Sequence, residues 1–255
     1  MELPALLDEW KRKGGTAALC TIVQTRGSTP RSVGARMLVF ADGSIKGTIG
    51  GGELEKCVIS DALSVIQRLK PSLYRHDLMH RHNMCCGGSI DIFIEPLMEK
   101  ERLFIFGAGH TGAALAQHAV LLDFDVYLID DRKEYLDNIS IPGINKLNLH
   151  HTQALSVLPF NDRTFVTIMT YSHPNDRDIL AYCMRQPSAY LGMIGSERKV
   201  EMTKKLFSEG LAATPEELAR VDMPMGEDIG AETPDEIAIS ILAKLIRVRR
   251  AAVVK

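Results

Sequence analysis

Arg102-Leu103-Phe104-Ile105-Phe106-Gly107-Ala108-Gly109-His110-Thr111-Gly112 is the stretch whose reading decides the fold. Its first five residues read as a buried-type strand, and its last six have the spacing G-x-G-x-x-G. A helical pattern follows over Thr111 to Leu122. A second strand pattern, Asp125 to Ile129, ends in Asp130 and Asp131, about 20 residues beyond the glycines. Each glycine answers a physical need: Gly107 permits a tight turn, Gly109 lets the backbone approach a phosphate, and Gly112 lets the helix pack close to the sheet. The helix start supplies free N–H groups and positive potential for an anion. Asp130 or Asp131 offers an acceptor to ribose hydroxyls or a similar polar ring edge. A glycine turn needed only for packing is the plainer alternative, but a strand before, a helix after and acids beyond favour phosphate binding. His110 sits inside the turn and suits either a ligand contact or a structural role. Arg132 is open to a 2′-phosphate contact, although an arginine after a strand is more often simply solvated.

Outward from this unit, Thr164 to Met169 and Ala189 to Ile194 read as strands, and Asn175 to Met184 and Glu197 to Ser208 as helices. Strands alternating with helices imply a Rossmann-like parallel sheet covered on both faces. Pro234 to Val248 is a last helix, with Thr233 as N-cap, Pro234 in the first turn and Glu236 completing a capping box. His173 follows a strand at its carboxyl end, where open α/β sheets bind ligands, and is a candidate polar contact. Asp176 and Asp178 favour the following helix start. Ser196 reads as a helix cap more simply than Gly195 to Lys199 reads as a phosphate loop.

Toward the N-terminus, the charged, proline-bearing stretch Pro96 to Glu101 marks the best boundary, dividing residues 1–98, a smaller α+β domain, from residues 99–255. In the smaller domain Leu3 to Trp10 reads as a helix, Ala17 to Val23 as a strand, Arg36 to Phe40 and Ser44 to Ile49 as a hairpin about Asp42-Gly43, Glu53 to Leu69 as a helix and Ser89 to Ile94 as a strand. Gly50-Gly51-Gly52-Glu53 opens that second helix, and three glycines there imply a sharp turn or close approach to a ligand; Glu53 and Glu55 also complement the helix dipole. Met84-Cys85-Cys86-Gly87-Gly88 has no C-x-x-C spacing, which argues against structural zinc. Its two cysteines fit equally a reactive or soft-metal-binding thiolate and two small buried residues before a turn. Arg26-Gly27-Ser28-Thr29-Pro30-Arg31 reads by composition as a turn, with a phosphate or substrate loop as the other possibility.

Composition supplies the remaining bounds. The 255 residues are 45% apolar and 24% charged with a net charge of −2, so bulk attraction to nucleic acid or an anionic membrane is not expected. No run is long enough to span a bilayer, and Met1-Glu2-Leu3-Pro4 does not open a signal peptide. Five cysteines, Cys20, Cys57, Cys85, Cys86 and Cys183, suit a reducing compartment. The expectation is a cytoplasmic protein.

Taken together these segments resemble the XdhC/CoxI family, the accessory proteins of xanthine dehydrogenase and related molybdenum hydroxylases. The carrying residues are Gly27 to Arg31 with Gly34 to Met37, Gly47 to Glu55, Cys85 to Gly88 with Glu95-Pro96, Gly107 to His110, Asp130 to Arg132, Gly192 to Ser196, and Asp228 to Ala231 with Thr233 to Ala238. The resemblance implies a cofactor chaperone rather than an enzyme. Such a protein binds the molybdenum cofactor (molybdopterin), supports exchange of an oxo for a sulfido ligand, and delivers the product to a xanthine dehydrogenase-type hydroxylase, in some cases with a cysteine desulfurase as partner. The cofactor's phosphate then suits the helix start at Gly107–Gly112 or at Gly50–Gly52, with Arg31 and Glu53 nearby in sequence. A thiolate from Cys85 or Cys86, followed by Gly87 and Gly88, suits the molybdenum or the transferred sulfur. The chain departs from many relatives in carrying Glu53 where they have cysteine, and Glu227 where an apolar residue is usual. A homodimer fits a cofactor shielded at an interface. The competing reading is an NAD(P)-dependent oxidoreductase using the same glycine turn, against which no Tyr-x-x-x-Lys or other evident proton-donor pair stands out. A weaker third is a protein–protein adaptor.

Overall fold

A computed structural model describes residues 2–78, 88–210 and 213–253. The chain forms two compact units, Met1–Glu99 and Lys100–Lys255.

The first unit contains α1 (Leu3–Lys13), β1 (Ala17–Arg26), β2 (Arg36–Phe40), β3 (Ile45–Gly47), α2 (Gly52–Arg68), β4 (Ser72–Asp77) and β5 (Ser89–Leu97). Its sheet runs β3-β2-β1-β5-β4 and every pairing is antiparallel. Alternation along the strands divides the apolar residues between two faces. Cys20, Ile22, Met37 and Ile92 pack with Leu54, Val58, Ala62 and Val65 of α2, while Leu19, Leu38 and Phe40 pack with Leu6 of α1. The expected partner strand from Ser44 to Ile49 shrinks to β3, because Gly47 has φ 80° and turns the chain out of the ladder. β4 was not expected; it is an edge strand whose pattern offers a single buried residue, His76.

The second unit runs β6 (Arg102–Phe106), α3 (His110–Leu121), β7 (Asp125–Ile129), α4 (Lys133–Asp137), β8 (Ile144–Leu147), α5 (His151–Val157), β9 (Thr164–Ile168), α6 (His173–Cys183), β10 (Tyr190–Met193), α7 (Glu197–Glu209), α8 (Pro215–Ala219) and α9 (Pro234–Val253). The sheet is parallel, in the order β10-β9-β6-β7-β8. Chain order reverses beside β6, so β6 and β9 flank the switch point at which open α/β sheets bind ligands. Leu103 and Ile105 face a core closed by α3 and α9 through Leu115, Ala119, Ile241 and Leu245. Phe104 and Phe106 face the opposite core, closed by α5, α6 and α7 through Leu155, Ile179, Leu180 and Val200. The capping box at Thr233 and Glu236 is formed: the Glu236 carboxylate accepts from the Thr233 N–H at 2.9 Å, and the Thr233 hydroxyl accepts from the Glu236 N–H at 3.3 Å. The final helix continues past Val248 to Val253. Among the described residues, no helix is long and apolar enough to cross a membrane.

Candidate functional site

The glycine turn joins β6 to α3, and its three glycines are there for different reasons. Gly107 has φ 115°, and a Cβ on it would lie 2.4 Å from the Met169 carbonyl oxygen just beyond β9. At Gly112 a Cβ would lie 1.9 Å from the Gly107 carbonyl oxygen, so this glycine lets α3 sit on the turn. Gly109 has neither constraint. Its φ of −68° is open to any residue and nothing lies within 4 Å of a Cβ built there. It is the N-cap of α3 and no side chain caps that helix start.

Asp130 holds this turn from the end of β7. Its Oδ2 accepts from the Ala108 N–H at 2.7 Å, and Arg132 donates to both carboxylate oxygens at 2.8 and 2.9 Å. Burial works to raise this carboxyl, but the hydrogen bonds from Arg132 and Ala108 outweigh it, and Asp130 titrates below the ordinary carboxylate range. The expectation of a merely solvated Arg132 is corrected. Its guanidinium lies between the rings of Tyr135 and Tyr171, 3.9 and 4.2 Å from their centroids. The Tyr171 hydroxyl donates to Asp131 at 3.2 Å, and that carboxylate raises the phenol's pKa.

Gly107, Asp130, Asp131 and Tyr171 line a crevice with His151 and Asn175, narrowed to a cavity of about 20 Å³. His151 is 8% exposed, and its Nε2 lies 3.6 Å from the Asp178 carboxylate. Burial, helped by the neighbouring His150, lowers its pKa, so it is the neutral imidazole at pH 7. His110 lines a different, open groove with Gln117, Asn138 and Ser140. His173 lines a third cavity, between α6 and α7. The second unit therefore gathers Gly107, Asp130 and Asp131 and sets His110 and His173 apart from them.

In the first unit the expected loops pack on one another. A Cβ on Gly50 would lie 2.5 Å from the Pro30 ring, and one on Gly88 would lie 2.4 Å from the Ser28 carbonyl oxygen. Gly50, Gly51 and Gly52 all have positive φ, and space around the last two is open. Glu55 organises this turn. Its Oε1 accepts from the Thr48 hydroxyl, from the Ile49 N–H at 3.1 Å and from the Gly51 N–H at 2.9 Å. Burial opposes ionisation of Glu55, but these hydrogen bonds prevail and its pKa is lowered. Glu53 points away and pairs with Lys56 at 3.1 Å, and Arg31 is exposed. Cys85, Cys86 and Gly87 lie outside the described residues. Of the other thiols, burial pushes Cys20 and Cys183 up to about 12, which leaves them inert. Among the described residues, no group of three or more His, Cys, Asp or Glu is arranged to hold a metal. Glu55→Ala is expected to cost about 1–3 kcal/mol, because it strands two N–H groups and a hydroxyl; urea unfolding measures it.

Two family models match the chain: "XdhC Rossmann domain" over residues 103–245, more than half its length, and "XdhC and CoxI family" over residues 10–77. The chain belongs to the XdhC and CoxI family. This XdhC-family chain is 42% identical over 247 residues to an uncharacterized protein, YqeB, of Escherichia coli, covering 92% of the chain and 44% of that protein. It is 30% identical over 161 residues to a probable xanthine dehydrogenase subunit of Bacillus subtilis, covering 63% of the chain and 46% of that protein. It thus spans less than half the length of these relatives. The crystal structure of a xanthine dehydrogenase from Bacillus halodurans superposes with a TM-score of 0.53 at 23% identity, covering 98% of the chain and 96% of that structure; at that identity the likeness speaks for fold alone. The XdhC-family Rossmann domain therefore contains the crevice of Gly107, Asp130 and Asp131, together with two residues the sequence did not announce, His151 and Tyr171. Neither lies in a motif. His151 follows β8 and Tyr171 follows β9, and the sheet order β9-β6-β7-β8 brings them to the turn.

Proposed function

We propose that this protein binds the molybdenum cofactor, serves its sulfuration, and hands it to a xanthine dehydrogenase-type hydroxylase, with a cysteine desulfurase as the sulfur source. The observation that carries the reading is Gly109. Backbone conformation explains the glycine at 107 and packing explains the one at 112, but neither explains Gly109. Clearance for a ligand's phosphate at an uncapped helix start does. Membership of the XdhC and CoxI family and the likeness to a probable xanthine dehydrogenase subunit support the choice of cargo and client. In this reading the phosphate rests on the start of α3, and Asp131 and His151 face the cargo's polar edge from the crevice. The thiolates of Cys85 or Cys86 meet the molybdenum or carry sulfur.

A nicotinamide dinucleotide on the same turn needs a free acid at the end of β7 for its ribose. Asp130 is committed to Ala108 and Arg132, which leaves the exposed Asp131 beside it as the acid that a ribose would use. The test is an anaerobic titration of the purified protein with cofactor released from a hydroxylase, beside NAD(H) and NADP(H). Saturable cofactor binding that nicotinamides do not displace is expected. Nicotinamide binding without cofactor binding would overturn the proposal.

A further inference from the structure

We propose that the cavity between α6 and α7 binds the phosphomonoester of a flat heterocycle, a ligand of nucleoside-monophosphate size, at a site separate from the glycine turn. The cavity measures about 350 Å³, within the range of small-molecule sites. It lies where the chain leaves the carboxyl ends of β9 and β10, the side of an open parallel sheet on which ligands bind.

Its charge is specific. Arg177, Arg198 and Lys199 line it with His173, and the acid among its lining residues is Asp176. Asp176 is fully buried and already neutralised: Lys199 donates to it at 2.8 Å, and the Thr170 N–H and hydroxyl donate at 3.0 and 2.6 Å. Two guanidinium groups remain, and neither Arg177 nor Arg198 has an ion-pair partner among the described residues. Two fixed positive charges match the roughly −1.5 to −2 of a phosphomonoester at neutral pH, and planar guanidinium groups present paired donors to its oxygens.

The remaining wall is apolar. Met193 is buried at the end of β10, while Met202 and Leu206 of α7 are 57% and 46% exposed beside the arginines. Polarizable thioethers favour contact with an aromatic ring. Inorganic phosphate would leave this wall and most of the volume unused, whereas a heterocycle joined to the phosphate covers both.

The experiment is calorimetric titration of the purified protein with GMP, guanosine and inorganic phosphate. GMP is expected to bind saturably with Kd below about 1 mM, and guanosine and phosphate about tenfold more weakly or worse. Arg177→Ala and Arg198→Ala are each expected to weaken GMP about tenfold, the loss of one charge-assisted contact. Both variants keep the wild-type melting curve, because neither side chain holds another part of the fold. Gly109→Val leaves GMP binding unchanged. If both released molybdenum cofactor and GMP bind together, a free nucleotide is the natural occupant; if the cofactor displaces GMP, its phosphorylated pterin is the occupant and the placement of that phosphate on the glycine turn fails. Absent GMP binding, binding indifferent to both arginines, or binding lost in Gly109→Val overturns the proposal. Saturable cofactor binding in the titration described above is expected whether or not GMP binds.

Discussion

Asp176→Ala is expected to destabilise the Rossmann unit by about 3–5 kcal/mol, the cost of leaving one member of a buried ion pair behind. Asp176 is 0% exposed, and its carboxylate is fully used by Thr170 and Lys199. With it gone, the Lys199 ammonium keeps the Ile194 carbonyl at 3.0 Å, and the Thr170 N–H loses its acceptor. The double variant Asp176→Leu/Lys199→Met removes both charges and is expected to recover most of the loss, since apolar replacement of a buried pair is often near neutral. Urea unfolding of Asp176→Leu, Lys199→Met and the double variant forms the cycle. A cost below about 1 kcal/mol for Asp176→Ala would mean that the pair behaves as a solvated surface pair.

Gly112→Ala is expected to cost about 3 kcal/mol and to weaken ligand binding at the turn with it. A Cβ 1.9 Å from the Gly107 carbonyl oxygen meets backbone, so α3 must move away. It cannot do so freely, because Leu115, Ala116 and Ala119 are wholly buried between the sheet and α9. Any shift carries the helix start away from Asp130 and from the end of β9. Gly109→Ala is the control three residues earlier, where the backbone is ordinary and the space empty, and chemical unfolding should barely register it. Equal costs at the two positions would contradict the division of roles among the glycines.

The parallel sheet was legible because its central strands are rich in apolar residues. Phe104, Phe106, Val166 and Ile168 fill one face while Leu103, Ile105 and Phe165 fill the other. β8 escaped notice because Ile-Asn-Lys-Leu lies at the sheet edge with no fully buried residue. The short helices α4 and α8 span five residues each, too few to show a period. At the site, spacing disclosed the glycine turn and the acids beyond it, but not how the two acids divide their work. Asp130 became a structural clasp because Arg132, two residues on, folds back over it between two tyrosines. Asp176 reads in sequence as a helix-start acid. Its pairing with Lys199, 23 positions later, depends on β9 and β10 lying side by side. The role of Glu55 was hidden for a similar reason: its dipole position is visible in sequence, while its reach back to Thr48, Ile49 and Gly51 is a matter of turn geometry.

The most direct measurement is the anaerobic titration with released molybdenum cofactor, run on the wild-type protein and on Gly109→Val side by side. A Cβ at Gly109 meets nothing within 4 Å, so the variant is expected to fold, at the cost of about 1 kcal/mol for a poorer N-cap, while its branched side chain closes the approach to the start of α3. Saturable binding by the wild-type protein, weakened about tenfold or more in Gly109→Val, is the predicted result. Equal affinity in the two proteins, with the variant fully folded, would contradict the placement of the cargo's phosphate on the glycine turn.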